Sequence, residues 1–230
     1  ETLRVRLQRG PLPVLAAGIV TAALARALAE AHKQNVVHGD LRPENVILPT
    51  EAGREVEAGQ PVLLDAALHH LRKRAIGLDE SLPLGKLAYL APEQASGEQQ
   101  SADNGGDIFA LGAILYECLT GKQAFGGPEL EVILERLSSP PPSLQLPREL
   151  GAPPGLSEAL DGVIRRACTR DPSERFESMS ELLTALGQAF EKSGLPLPPP
   201  DERVPIDTLL SQNKALRKRT VAVKRIAPPP

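Results

Sequence analysis

Aromatic side chains are scarce in this chain: four Phe, two Tyr and no Trp make up 3% of its 230 residues. Its core therefore has to be built from Leu, Ala, Ile and Val. Cysteine is nearly absent as well. Cys118 and Cys168 stand far apart and in no C-x-x-C arrangement. That argues against a disulfide framework or a thiolate zinc site and makes a reducing, cytoplasmic setting the expectation. Net charge is only −3, too little for an overall electrostatic pull toward nucleic acid or an anionic membrane. No signal peptide is visible, and because the chain begins at Glu1 it is expected to be a segment of a longer protein. The most apolar run, Pro13 to Ala25, is interrupted by Arg26 and Glu30 and is too short to cross a bilayer, so no membrane span is expected. No internal repeat is apparent. What remains, 41% hydrophobic and 24% charged, is the composition of one globular domain of ordinary size with an appendage.

The chemistry concentrates in one stretch, Val36-Val37-His38-Gly39-Asp40-Leu41-Arg42-Pro43-Glu44-Asn45-Val46-Ile47-Leu48. Two apolar runs flank a polar turn in which an Asp and an Asn sit five positions apart. A short loop beside β-strands can aim both at one point. A carboxylate that accepts a hydroxyl proton and an amide oxygen that helps hold a metal ion are what phosphoryl transfer asks for. Further motifs follow in order: Leu64-Asp65-Ala66-Ala67, Ala91-Pro92-Glu93, Asp107 at the head of an apolar helix, and Arg170-Asp171-Pro172-Ser173-Glu174-Arg175. Together they resemble the protein serine/threonine kinases, and the bacterial ones most through Ala91-Pro92-Glu93-Gln94-Ala95-Ser96-Gly97-Glu98 and Leu119-Thr120-Gly121. The bland reading of Asp40 and Asn45 is a turn held by Asx hydrogen bonds; the ordered partner motifs outweigh it.

The resemblance implies a protein kinase-like fold, C-terminal lobe only, mainly α-helical with a small β-hairpin element at the active-site edge. Residues 1–192 would be that lobe and 193–230 a Pro-rich and basic linker or tail. A short helix in 1–10 is followed by a long one from Pro11-Leu12-Pro13 to about Lys33, whose Val20, Leu24, Leu28 and Ala31 recur at helical spacing. Val46-Ile47-Leu48 and Val62-Leu63-Leu64 read as paired short strands, and the 20 positions from Asn45 to Asp65 leave room for a surface extension between them. Asp107 to Leu119 is an apolar helix stopped by Thr120-Gly121. Further helices are expected over 129–137 and Leu156 to Thr169. Ser180 is read as the N-cap of a last one to about Glu191.

In the family's terms Asp40 would be the catalytic base, Arg42 would take the place of the lysine that steadies the transferred phosphoryl group, and Asn45 and Asp65 would hold Mg with ATP. His38, Glu93, Asp107 and Arg175 would give structural support, Glu93 and Arg175 as a buried ion pair. A protein substrate or signalling partner and ATP are the implied partners. Several positions depart from the pattern. Gly39 stands for an Arg that pairs with a phosphorylated activation loop, Ala66 for Phe and Ala67 for Gly. Lys86 stands for a Thr, where it could ion-pair with Asp40 and make it a poorer base or equally point to solvent. Ser81 could be phosphorylated, but a solvated loop serine is the favoured reading. No glycine-rich loop, ATP-anchoring Lys or paired helix Glu precedes His38, so the N-lobe is expected to lie outside this chain. Thr220-Val221-Ala222-Val223-Lys224 looks like the ATP-anchoring strand but lies at the wrong end with no G-x-G-x-x-G before it. Adjacent His69 and His70 would point apart, and the basic stretch 214–225 reads as solvated linker. Two functions stay open: a phosphotransferase with impaired motifs, and a pseudokinase scaffold that acts by binding proteins.

Overall fold

In the computed structural model the described residues are 1–48, 61–64, 84–95, 103–146 and 152–199. In chain order they form α1 (Leu3–Leu7), α2 (Val14–Lys33), a 3-10 turn (Pro43–Asn45), β1 (Val46–Ile47), β2 (Val62–Leu63), α3 (Leu84–Leu87), α4 (Pro92–Ala95), α5 (Asn104–Thr120), α6 (Leu130–Leu137), α7 (Leu156–Ala167) and α8 (Met179–Lys192). The domain is thus mainly helical with one small hairpin at its edge.

Helix α5 is its post. From Gly106 to Leu119 every residue is buried, as expected of a helix that is apolar all round. Asp103 caps its start by accepting from the Gly106 N–H, and Gly121, at φ 70°, ends it in the left-handed conformation that costs a glycine nothing. The helix begins three residues before Asp107, earlier than its apolar run suggests, because Asp103 supplies the cap. Around it, α2 packs on α5 and α8, and α7 bridges α5 and α8. Small residues on α2 permit close approach: a Cβ on Gly18 would lie 2.4 Å from the Phe190 ring. Helix α2 runs to Lys33 and, by length and composition alone, could cross a bilayer, which the shorter run from Pro13 to Ala25 did not suggest. Here Ala17, Leu24 and Ala25 are fully enclosed, so it serves as a core helix.

The strands pair antiparallel, Val46 with Leu63 and Ile47 with Val62. The N-terminal residues extend this edge, with Thr2 bridged to Ile47 and the Leu48 N–H donating to the Glu1 carbonyl. One cap differs from expectation. Helix α8 is capped by Ser178, which accepts from the Glu181 N–H, while the Glu181 carboxylate accepts from the Glu177 N–H. Ser180 lies inside the first turn; the S-x-x-E spacing of a capping box starts two residues earlier. After α8, Leu195 and Leu197 pack against the core, so the start of the Pro-rich segment lies on the domain.

Candidate active site

The turn from His38 to Asn45 is fixed mainly through its peptide groups. The Asp107 carboxylate, 1% exposed on α5, accepts the His38 N–H at Oδ2 and the Gly39 N–H at Oδ1, both at 2.9 Å. Two consecutive N–H groups converge on one carboxylate while Gly39 sits at φ 72°, a conformation open to glycine without Cβ strain. His32, at the end of α2, donates from Nε2 to the same Oδ2 at 2.8 Å, since an ionised carboxylate only accepts. The His38 ring is settled at both ends. Its Nδ1 accepts the Asp40 N–H at 3.3 Å, which leaves Nε2 to donate to the Leu64 carbonyl at 3.0 Å. Leu64 also donates its N–H to the Asn45 carbonyl at 2.8 Å. Position 64 is therefore tied to both ends of the turn.

Asp40 and Asn45 are 8% and 6% exposed. The Asn45 Nδ2 donates to the Asp40 carbonyl at 2.8 Å, which orients the amide and leaves its oxygen as the ligating atom. An amide oxygen is a hard donor of the kind Mg prefers, so Asn45 fits the metal role. Asp65, the second ligand of the sequence reading, lies outside the described residues, as do Ala66, Ala67, His69, His70 and Ser81. Among the described residues no group of three His, Cys, Asp or Glu forms a self-contained metal cluster.

The Asp40 carboxylate is occupied by cations. Lys86 Nζ lies 3.1 Å from Oδ1, and Arg42 Nε is 3.7 Å from the same oxygen without forming a hydrogen bond. Of the two outcomes open for Lys86, solvent or ion pair, the structure has the ion pair. Its side chain is only 13% exposed.

The Glu93–Arg175 pair is as the sequence implied. Nη1 and Nη2 of Arg175 each donate to one Glu93 oxygen at 2.7 Å, and the remaining N–H groups go to the carbonyls of Thr169, Gly105 and Arg170. The guanidinium carbon stands 5.2 Å from the Phe109 ring centroid. A second network was not read from the sequence. Arg4 donates to Glu44, Glu117 and the Tyr89 hydroxyl, and Tyr89 donates to Glu117. Burial, reinforced by the Glu117 carboxylate, holds the Tyr89 phenol above its ordinary range. One signal could have found it: Glu117 is a lone carboxylate inside the apolar run Ile108–Leu119, and such a group needs a partner.

Residues 2–185 match the protein kinase domain, and the chain belongs to that family. The relatives are bacterial. It is 35% identical over 175 residues to the serine/threonine-protein kinase PknJ of Mycobacterium tuberculosis, covering 73% of this chain and 27% of that protein. Identity to the serine/threonine-protein kinase PkaA of Streptomyces coelicolor is 35% over 170 residues, 73% of this chain and 28% of the relative. With the tyrosine-protein kinase MasK of Myxococcus xanthus it is 33% over 184 residues, 76% and 26%. The chain therefore spans about a quarter of the length of these relatives.

Proposed function

We propose that this chain supplies the catalytic-loop half of a cytoplasmic bacterial protein kinase that transfers the γ-phosphoryl group of ATP to a protein hydroxyl. The observation that carries the reading is the convergence on one buried turn of Asp40, held by its backbone, and Asn45, with its amide oxygen left for a ligand. In this reading Asp40 orients and deprotonates the acceptor hydroxyl and Asn45 and Asp65 hold the metal. Mg, when bound, would offset the charge that develops on the ATP phosphates. Serine or threonine as acceptor is favoured by the names of PknJ and PkaA; MasK keeps tyrosine in view as an acceptor to be assayed.

One observation favours a second reading, a pseudokinase scaffold. Lys86 sits on one oxygen of the Asp40 carboxylate, so in this conformation that group is already engaged. The test uses the full-length protein containing this chain. Thermal shift with millimolar MgATP, alongside Asp65→Asn, is expected to show metal-dependent stabilisation that the substitution abolishes. Phosphotransfer that Asp40→Asn removes, and that Lys86→Thr raises, would complete the case. No shift with MgATP would overturn the phosphotransferase reading and leave the scaffold.

A further inference from the structure

We propose that Arg4 is a positioning residue: it ties the metal-binding end of the catalytic loop to the segment that carries Lys86, using helix α5 as the fixed post. Its guanidinium gives a different nitrogen to each of three elements. Nε donates to Glu44 Oε1 at 2.7 Å, Nη1 to Glu117 Oε1 at 2.7 Å, and Nη2 to the Tyr89 hydroxyl. Glu44 immediately precedes Asn45 in the Pro43–Asn45 turn. Tyr89 lies three residues after Lys86 and donates its N–H to the Lys86 carbonyl at 3.2 Å. Glu117 belongs to the enclosed helix and its side chain is 4% exposed.

The network is closed around Arg4. The Tyr89 hydroxyl accepts from Arg4 and from Gln123 Nε2, the latter at 3.1 Å, and donates to the second Glu117 oxygen; a phenol can do no more. The second Glu44 oxygen is buried with no hydrogen-bond partner among the described residues, and Arg4 is the cation paired with that carboxylate among them. Asp107 holds the opposite end of the loop, at His38 and Gly39. The two anchors divide the work: Asp107 fixes the peptide entering Asp40, and Arg4 fixes the turn that presents Asn45. A planar fork with separate donors can serve three acceptors at once, whereas a lysine ammonium is a single point of charge. Without Arg4, the Glu44 and Glu117 carboxylates would share one site with no cation between them.

The tether is a property of the fold; its effect on metal-dependent nucleotide binding rests on the reading under Proposed function. Hydrogen exchange read by mass spectrometry on the full-length protein tests the first part. Arg4→Met is expected to speed exchange in peptides spanning 42–48 and 86–91 together, by about tenfold, as a local opening does. Arg4→Lys should restore one of the two and not both. Glu44→Gln, which stands in if Arg4→Met does not fold, should loosen 42–48 and leave 86–91 as it was. Ile114→Val serves as a core-weakened control. Exchange that is unchanged in both peptides, or that rises evenly over the domain as in this control, overturns the proposal. The second readout is the thermal stabilisation by MgADP beyond that by adenosine. Arg4→Met should shrink that metal-dependent increment and leave the adenosine shift alone; an undiminished increment would also count against Arg4. If wild type shows no increment while the paired loosening is seen, the tether stands and the phosphotransferase reading falls.

Discussion

Two ion pairs lie near the loop, and they differ in kind. Arg175 and Glu93 form a two-point contact at 2.7 Å on each side, the arginine is fully enclosed, and its other N–H groups all find carbonyls. Lys86 and Asp40 meet at one point at 3.1 Å, with a second cation, Arg42, 3.7 Å from the same oxygen. The first pair has no degree of freedom left, so separating it exposes several unmatched groups at once. The second can exchange partners: if Lys86 withdraws, Arg42 is still beside the carboxylate. The difference separates a joint that holds the domain together from a contact that can be released.

The most severe way to test that contrast is Arg175→Met, which takes the two-point contact from Glu93 and the guanidinium donors from the Thr169, Gly105 and Arg170 carbonyls. It is expected to cost about 3–5 kcal/mol, measured by urea unfolding; a loss near that of an ordinary surface pair would erase the distinction. Asp107→Ala comes next, at about 2–4 kcal/mol, because two backbone N–H groups and the His32 ring lose their shared acceptor. Its exchange signature should centre on 38–40, away from the 42–48 region assigned to Arg4. Lys86→Met should cost only about 1–2 kcal/mol, below half the Arg175 loss, since one charge-assisted contact is removed and Arg42 remains. Should it equal Arg175→Met, the pair near the base is structural after all.

The mildest test is alkaline pH. Burial pushes the Cys168 thiol up to about 12, the nearby Arg175 drawing it back only slightly, and raises Cys118 and Tyr89 as well. These acids stay neutral in the fold at pH values where the unfolded chain ionises. Their contribution is therefore complete below the ordinary thiol value of 9.0 and is lost as pH rises toward 12. Unfolding midpoints should be level up to about pH 8 and decline above 9, with the decline reduced in a Cys118→Ala/Cys168→Ala variant.

Much of this was legible in the chain because it rests on short spacing. Asp40 and Asn45 fall in one turn, Val46-Ile47-Leu48 and Val62-Leu63-Leu64 stand out as short apolar runs after it, and Asp107, Glu93 and Arg175 each sit inside a motif of fixed length. The Arg4 network was not legible, since its partners are 40, 85 and 113 positions away and no spacing links them; only the fold brings α1 against α5. His32 was missed for the same reason, being 75 positions from Asp107. The Ser180 cap failed on a local matter: two serines stand two residues apart, and the glutamate that completes the box, Glu181, selects the first. The choice between solvent and Asp40 for Lys86 had no sequence answer, because both fates use the same flexible side chain.

Asp107 grips the loop through the amides of His38 and Gly39, groups that are the same whichever residues stand there. The mount is therefore indifferent to much of what it displays. Position 42 is free to be rewritten, and grafting the Lys of other family members there should leave the path of the loop intact. For a protein engineer this makes the turn a socket: the side chains at positions 40 and 42 can be exchanged one at a time on a seat that stays put.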